Sequence, residues 1–203
     1  MSGTSPGRAA VAVPLGLALG ATLGLVARGW MRVASADPEF SRAGTVFIVA
    51  AFTVWGLAQA IVLAVRASTS RRWLVTVTRV FGFVGTIPLF VGAGAIMAPT
   101  VIAGGLARHR TDWRTWSRAL AGVLAAIPVV VVAVQLHDDW AWTWRWWLAT
   151  AGLALVYGTI IQANRGTMAP QLDGWHVPRY VRILGAVGLV IAIALPLIGI
   201  GVT

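Results

Sequence analysis

Six runs of about 20 mainly apolar residues recur along the chain, and a helix of that length is what crosses a hydrocarbon core about 30 Å thick. They lie at about 10–27, 44–65, 73–105, 119–136, 142–162 and 180–201, separated by short segments rich in arginine and tryptophan. The expected fold is therefore an all-α integral membrane protein, one domain over residues 1–203 built as a bundle of six transmembrane helices. Composition points the same way: 58% of residues are hydrophobic and 11% charged, with a mean hydropathy of +0.81, where soluble domains carry roughly 25% charged residues. The connectors are too short for a separate soluble domain, which needs about 50 residues.

The first run reads as a retained span, because no small-x-small cleavage site precedes Arg28. Its Gly16, Gly20 and Gly24 recur at spacing four and share one helix face, where missing side chains let another backbone approach. The second run offers Gly56, Ala60 and Ala64 at the same spacing. Those two faces are expected to pack against each other. The third run is too long for one straight perpendicular helix, and Pro88 and Pro99 interrupt it among several glycines, so the span is expected to be kinked or broken there. Broken helices are where transporters place their sites.

Formal net charge is +10, and all sixteen basic residues are arginine. Arginines beside apolar spans anchor headgroups and set topology, so nucleic acid is not an expected partner. A chain without lysine has no Schiff-base chemistry, and one without cysteine has no thiol chemistry. Six spans place the turns after spans two and four with the N-terminus, together with Arg8, Arg66, Arg71, Arg72, Arg79 and Arg145. The other ten arginines fall on the opposite side, which puts the termini outside by the positive-inside rule.

Catalysis at membrane depth usually leaves an ionisable group there. The spans hold no Asp, Glu, Lys or His in their middles, which argues against intramembrane proteolysis and carboxylate proton relays. His109, His137 and His176 fall in different connectors, so no catalytic, metal or cofactor set is expected. Arg79 lies about 9 Å inside span three. It either snorkels to the headgroups or pairs with Asp138 or Asp139, the acids that six spans put on its side; Asp112 is assigned to the other. Glu39 is the single glutamate, in Asp37-Pro-Glu-Phe40, and follows what reads as a turn, Arg28-Gly-Trp-Met-Arg32. With Arg28, Arg32, Arg42 and Arg182 it forms a candidate cluster for an anionic headgroup, or an ion pair stapling the first connector. Five tryptophans between Trp140 and Trp147 read as an interfacial belt.

The string Arg28-Gly-Trp-Met-Arg32, then Pro38-Glu-Phe40, then Gly44-Thr45, resembles a signature of bacterial multi-pass membrane proteins. The resemblance covers residues 16 to 66 and implies a bacterial membrane protein without implying an activity. The expected function is that of a non-enzymatic accessory, scaffold or assembly subunit in the bacterial inner (plasma) membrane. Its expected partners are membrane lipids, anionic headgroups, and a second copy or another membrane protein. The alternatives are a small oligomeric transporter or channel and, third, a lipid-modifying enzyme at the interface.

Overall fold

A computed structural model describes residues 6–36, 41–69 and 71–170, which are helical with short turns and contain no strand. In order come α1 (Pro6–Ala34), α2 (Arg42–Ser68), α3 (Arg72–Val84), two 3-10 turns (Ile87–Phe90 and Gly92–Met97), α4 (Ala98–His109), α5 (Thr115–Trp140), α6 (Trp144–Ala163) and the single-turn α7 (Arg165–Met168). Five stretches are long and apolar enough to cross a membrane: Val11–Ala34, Arg42–Ser68, Arg72–Phe90, Thr115–Trp140 and Trp144–Ala163. The apolar run at 180–201 lies outside the described residues.

Arg28–Arg32, read from the sequence as a turn, is helix and belongs to the last two turns of α1. A single glycine is tolerated in a helix at a cost of about 1 kcal/mol, and tertiary bonds hold this segment. The indole N–H of Trp30 donates to the Ala149 carbonyl at 2.6 Å, and Arg28 Nε donates to Thr45 Oγ1 at 3.1 Å. At the start of α2, the Ser41 hydroxyl accepts from the Gly44 N–H at 3.1 Å and caps the helix.

Helices α1 and α2 form the tightest pair. A methyl group on Gly20 would stand 2.5 Å from the Phe52 carbonyl oxygen, and one on Gly24 would stand 2.9 Å from Val49 Cα. Gly16 sits against Gly56 and Ala60, and a methyl group on Gly56 would come within 2.9 Å of Gly20 Cα. Ala64 is part-buried and is not among the atoms nearest these glycines.

The segment expected as one span at 73–105 is divided and doubles back. Gly82 of α3 lies against Thr167, while Gly105 of α4 lies against Met168, so both helices close on α7. Between them the 3-10 turns carry Leu89 and Phe90 deep into the bundle, against a core of Ala27, Phe52, Trp55, Val101, Val156 and Ile160. The chain thus enters and leaves at the same end. Proline has no N–H and fixes φ, so Pro88 and Pro99 fit the first turns of their short helices.

One end of the bundle gathers the start of α1, the end of α2, the start of α3, the end of α4, the start of α5 and the end of α6. The other gathers the end of α1, the start of α2 and the turn between α5 and α6. There Trp140 Nε1 donates to the Ala34 carbonyl at 3.5 Å, and Arg145 donates to the carbonyls of Val33 and Ser35, each at 3.4 Å. Along α5, Leu120, Val123, Ile127, Val130 and Val134 form an exposed apolar stripe at helical spacing.

Candidate functional site

The polar groups within the bundle converge on the short turn that follows α6. Asn164 ends α6 and is fully buried, with its Oδ1 accepting from Trp55 Nε1 at 3.0 Å. Gln59 sits one turn further along α2. Its amide donates to the Gly82 carbonyl at 3.1 Å, and its oxygen accepts from the Thr167 hydroxyl at 2.6 Å. Thr86 Oγ1 reaches the same Gly82 carbonyl at 3.0 Å. That carbonyl stands where α3 is about to end, and an unpaired buried carbonyl is costly in an apolar medium. Side chains supply its donors.

Two arginines grip the turn from outside. Arg66, at the end of α2, donates through Nη1 to the carbonyls of Gly166 (2.8 Å) and Ala169 (3.3 Å) and through Nη2 to that of Pro170 (3.0 Å). Arg79 Nε donates to the Thr167 carbonyl at 2.8 Å. On the α4 side, His109 Nε2 lies 2.8 Å from the Ile161 carbonyl and acts there as the donor, since a carbonyl only accepts. Arg118 Nε donates to the Ala107 carbonyl at 3.1 Å. The chain has six acids against sixteen arginines, and these arginines bind carbonyls at helix ends, where the backbone carries partial negative charge.

Of the two expectations for Arg79, the pairing with Asp138 or Asp139 does not form. Arg79 is held by a backbone carbonyl, and the fold-back of α4 brings Arg110 and Asp112 within its electrostatic reach. Asp112 shares its end of the molecule, whereas Asp138 and Asp139 lie in the last turn of α5 at the opposite end. Asp112 pairs with Arg110 at 2.8 Å, and Arg110 also lies over the Trp113 ring, 5.5 Å from its centroid. Of the expected headgroup cluster, Glu39 and Arg182 lie outside the described residues. Arg28 and Arg32 belong to the end of α1, and Arg42 opens α2. Arg66 and Gln59 were not singled out from the sequence. A glutamine inside an apolar run was the available signal for the second.

The tryptophan segment forms the turn between α5 and α6. Trp142, Trp146 and His137 stack edge to face, with Trp142 and Trp146 centroids 4.8 Å apart, and Arg145 lies 3.4 Å from the Trp140 ring centroid. Trp142, Trp144 and Trp147 keep more than half of their surface exposed.

Two of the cavities among the described residues lie between helices. One, of about 410 Å³, lies between α1, α2 and α6 and is lined mainly by leucines such as Leu19, Leu23 and Leu155, with Thr22, Gln59 and Thr159 as its polar residues. The other, of about 280 Å³, lies beside the 3-10 turns and is lined by Ile48, Phe52, Leu89, Phe90 and Val101 among others. Both walls are overwhelmingly apolar. No family model, curated protein or solved structure matches the chain.

Proposed function

We propose that the protein is a non-enzymatic multi-pass membrane protein, an accessory or scaffold subunit of the bacterial inner membrane. The observation that carries this reading is the use made of buried polarity. Gln59, Thr86 and Thr100 donate to backbone carbonyls, Thr167 donates to Gln59 and Asn164 accepts from Trp55, while the cavity walls, to which Gln59, Thr22 and Thr159 add a few polar atoms, are mainly apolar. A substrate path needs several polar groups free to meet a ligand, and here Gln59, at a cavity wall, already has its amide on the Gly82 carbonyl and its oxygen on Thr167.

In this reading α1, α2, α5 and α6 cross the bilayer, and α3 and α4 form a hairpin that enters and leaves on one side. Of the fourteen arginines at described positions, ten lie at the end that holds the start of α1, and four, Arg28, Arg32, Arg42 and Arg145, lie at the other. The positive-inside rule then favours an N-terminus in the cytoplasm. Doubling back of the third apolar run moves the Arg108–Arg118 connector across and reverses the balance expected from six simple spans.

The hairpin also keeps a second reading alive, a small transporter or channel, because irregular backbone at depth recurs in such proteins. Proteoliposome flux separates the two. The accessory reading expects ion and solute leakage equal to that of empty vesicles, together with a crosslinked protein adduct from a photo-crosslinker replacing Val123 on the exposed stripe of α5. Conductance above the empty-bilayer level would replace it with the channel reading.

A further inference from the structure

We propose that Arg66, Arg79, Arg110 and Arg165 form a binding site for a phosphate-bearing anion, carried either on an acidic phospholipid headgroup or as phosphate in the aqueous phase. The site goes beyond the accessory role proposed above and does not depend on it. Arg66 and Arg79 are fixed by their carbonyl bonds around one turn, 166–170. Arg165 opens α7 and directly precedes the gripped turn, and Arg110 follows the end of α4, which packs on α7 where Gly105 meets Met168.

At this end the four guanidinium groups are accompanied by one carboxylate among the described residues, Asp112, which pairs with Arg110 at 2.8 Å, and the carbonyl oxygens that orient Arg66 and Arg79 bring dipoles but no net charge. Donors are left over as well. The two terminal nitrogens of Arg79 bond to nothing among the described residues, and the buried Nε of Arg110 has no partner there either. Positively charged and holding unused donors, with Arg165 exposed at its rim, the cluster suits an anion with several acceptor oxygens. Guanidinium forks match phosphate geometry, and exclusion of water strengthens the attraction. A bound chloride would satisfy the charge but could not span donors from two arginines with separate oxygens.

The test uses the full chain in maltoside micelles, which contain no phosphate. Unfolding temperature is followed while dioleoyl-phosphatidylglycerol, inorganic phosphate, or chloride at matched ionic strength is added. Ligand that binds the folded form raises the transition in proportion to the logarithm of its saturation. The expected result is a rise of several degrees with phosphatidylglycerol and none with chloride. A rise with phosphate as well assigns the site to the phosphate group itself, and a rise with the lipid alone assigns it to a headgroup.

Arg165→Gln, at an exposed position, is expected to raise the half-saturating lipid concentration about tenfold, the effect of losing one charge-assisted bond. Arg79→Gln should do at least as much if it folds. Arg114→Gln, exposed at the same end but outside the cluster, should leave the value unchanged. The proposal is overturned if neither lipid nor phosphate moves the wild-type transition, if chloride moves it equally, or if Arg165→Gln and Arg114→Gln behave alike.

Discussion

Ala141 carries the one positive φ outside glycine among the described residues, at 45° with ψ near −143°. It occupies the first inner position of the turn from Trp140 to Thr143, closed by the Thr143 N–H on the Trp140 carbonyl at 3.2 Å, where a type II′ turn favours glycine. Ala141→Gly is therefore expected to raise stability by about 1 kcal/mol, read as a higher unfolding temperature in detergent. Gln59 is the opposite case, a residue whose polarity the fold needs. Gln59→Leu removes a donor from the Gly82 carbonyl and an acceptor from Thr167. Hydrogen bonds inside membrane proteins are worth about 0.6 kcal/mol on average and up to about 1.7, so the loss of two should cost about 1–3 kcal/mol. Chemical unfolding in mixed micelles would measure it, and an unchanged midpoint would mean that the network adds nothing to stability.

Among the elements, α1 and α2 depend on the absence of side chains. Gly20 has no space for a methyl group without displacing the Phe52 carbonyl, and overpacking of this kind typically costs about 1–3 kcal/mol. Gly20→Val is expected to lower the unfolding temperature, whereas Gly122→Val, at a glycine on α5 with nothing within 4 Å, should leave it nearly unchanged. The α3–α4 hairpin makes a sharper prediction because a single crossing and a fold-back place the connectors differently. The chain contains no cysteine, so single cysteines report without background. Thr69→Cys and Thr111→Cys should react with an impermeant thiol reagent from the same side of sealed vesicles; labelling from opposite sides would show one crossing between them.

At the scale of the whole molecule, the arginines divide ten to four between the two ends at described positions. Right-side-out vesicles are expected to protect Thr111→Cys from an impermeant reagent and to expose Thr143→Cys, which lies in the turn between α5 and α6. The reverse pattern would put the arginine-rich end outside. Elimination of chemistry also belongs at this scale. The lack of lysine and cysteine was visible from composition, and so was the scarcity of acids, which is why so many guanidinium groups bind backbone carbonyls.

By itself the sequence determined the features that depend on nearest neighbours along the chain. Run length and hydropathy marked the helices long enough to cross a bilayer, and glycine spacing marked the face of α1 that meets α2, because helical periodicity brings residues four apart onto one side. The third apolar run leaves α-helix after Val84 and regains it at Ala98. Which way the chain goes after that interruption is not a local property. It is decided by bonds between residues far apart: Gln59 with Thr167, Arg79 with the Thr167 carbonyl and His109 with the Ile161 carbonyl. Backbone groups freed at helix ends must find donors when no water is present. Only the tertiary structure brings together the side chains that satisfy them, and with them the arginines of the candidate anion site.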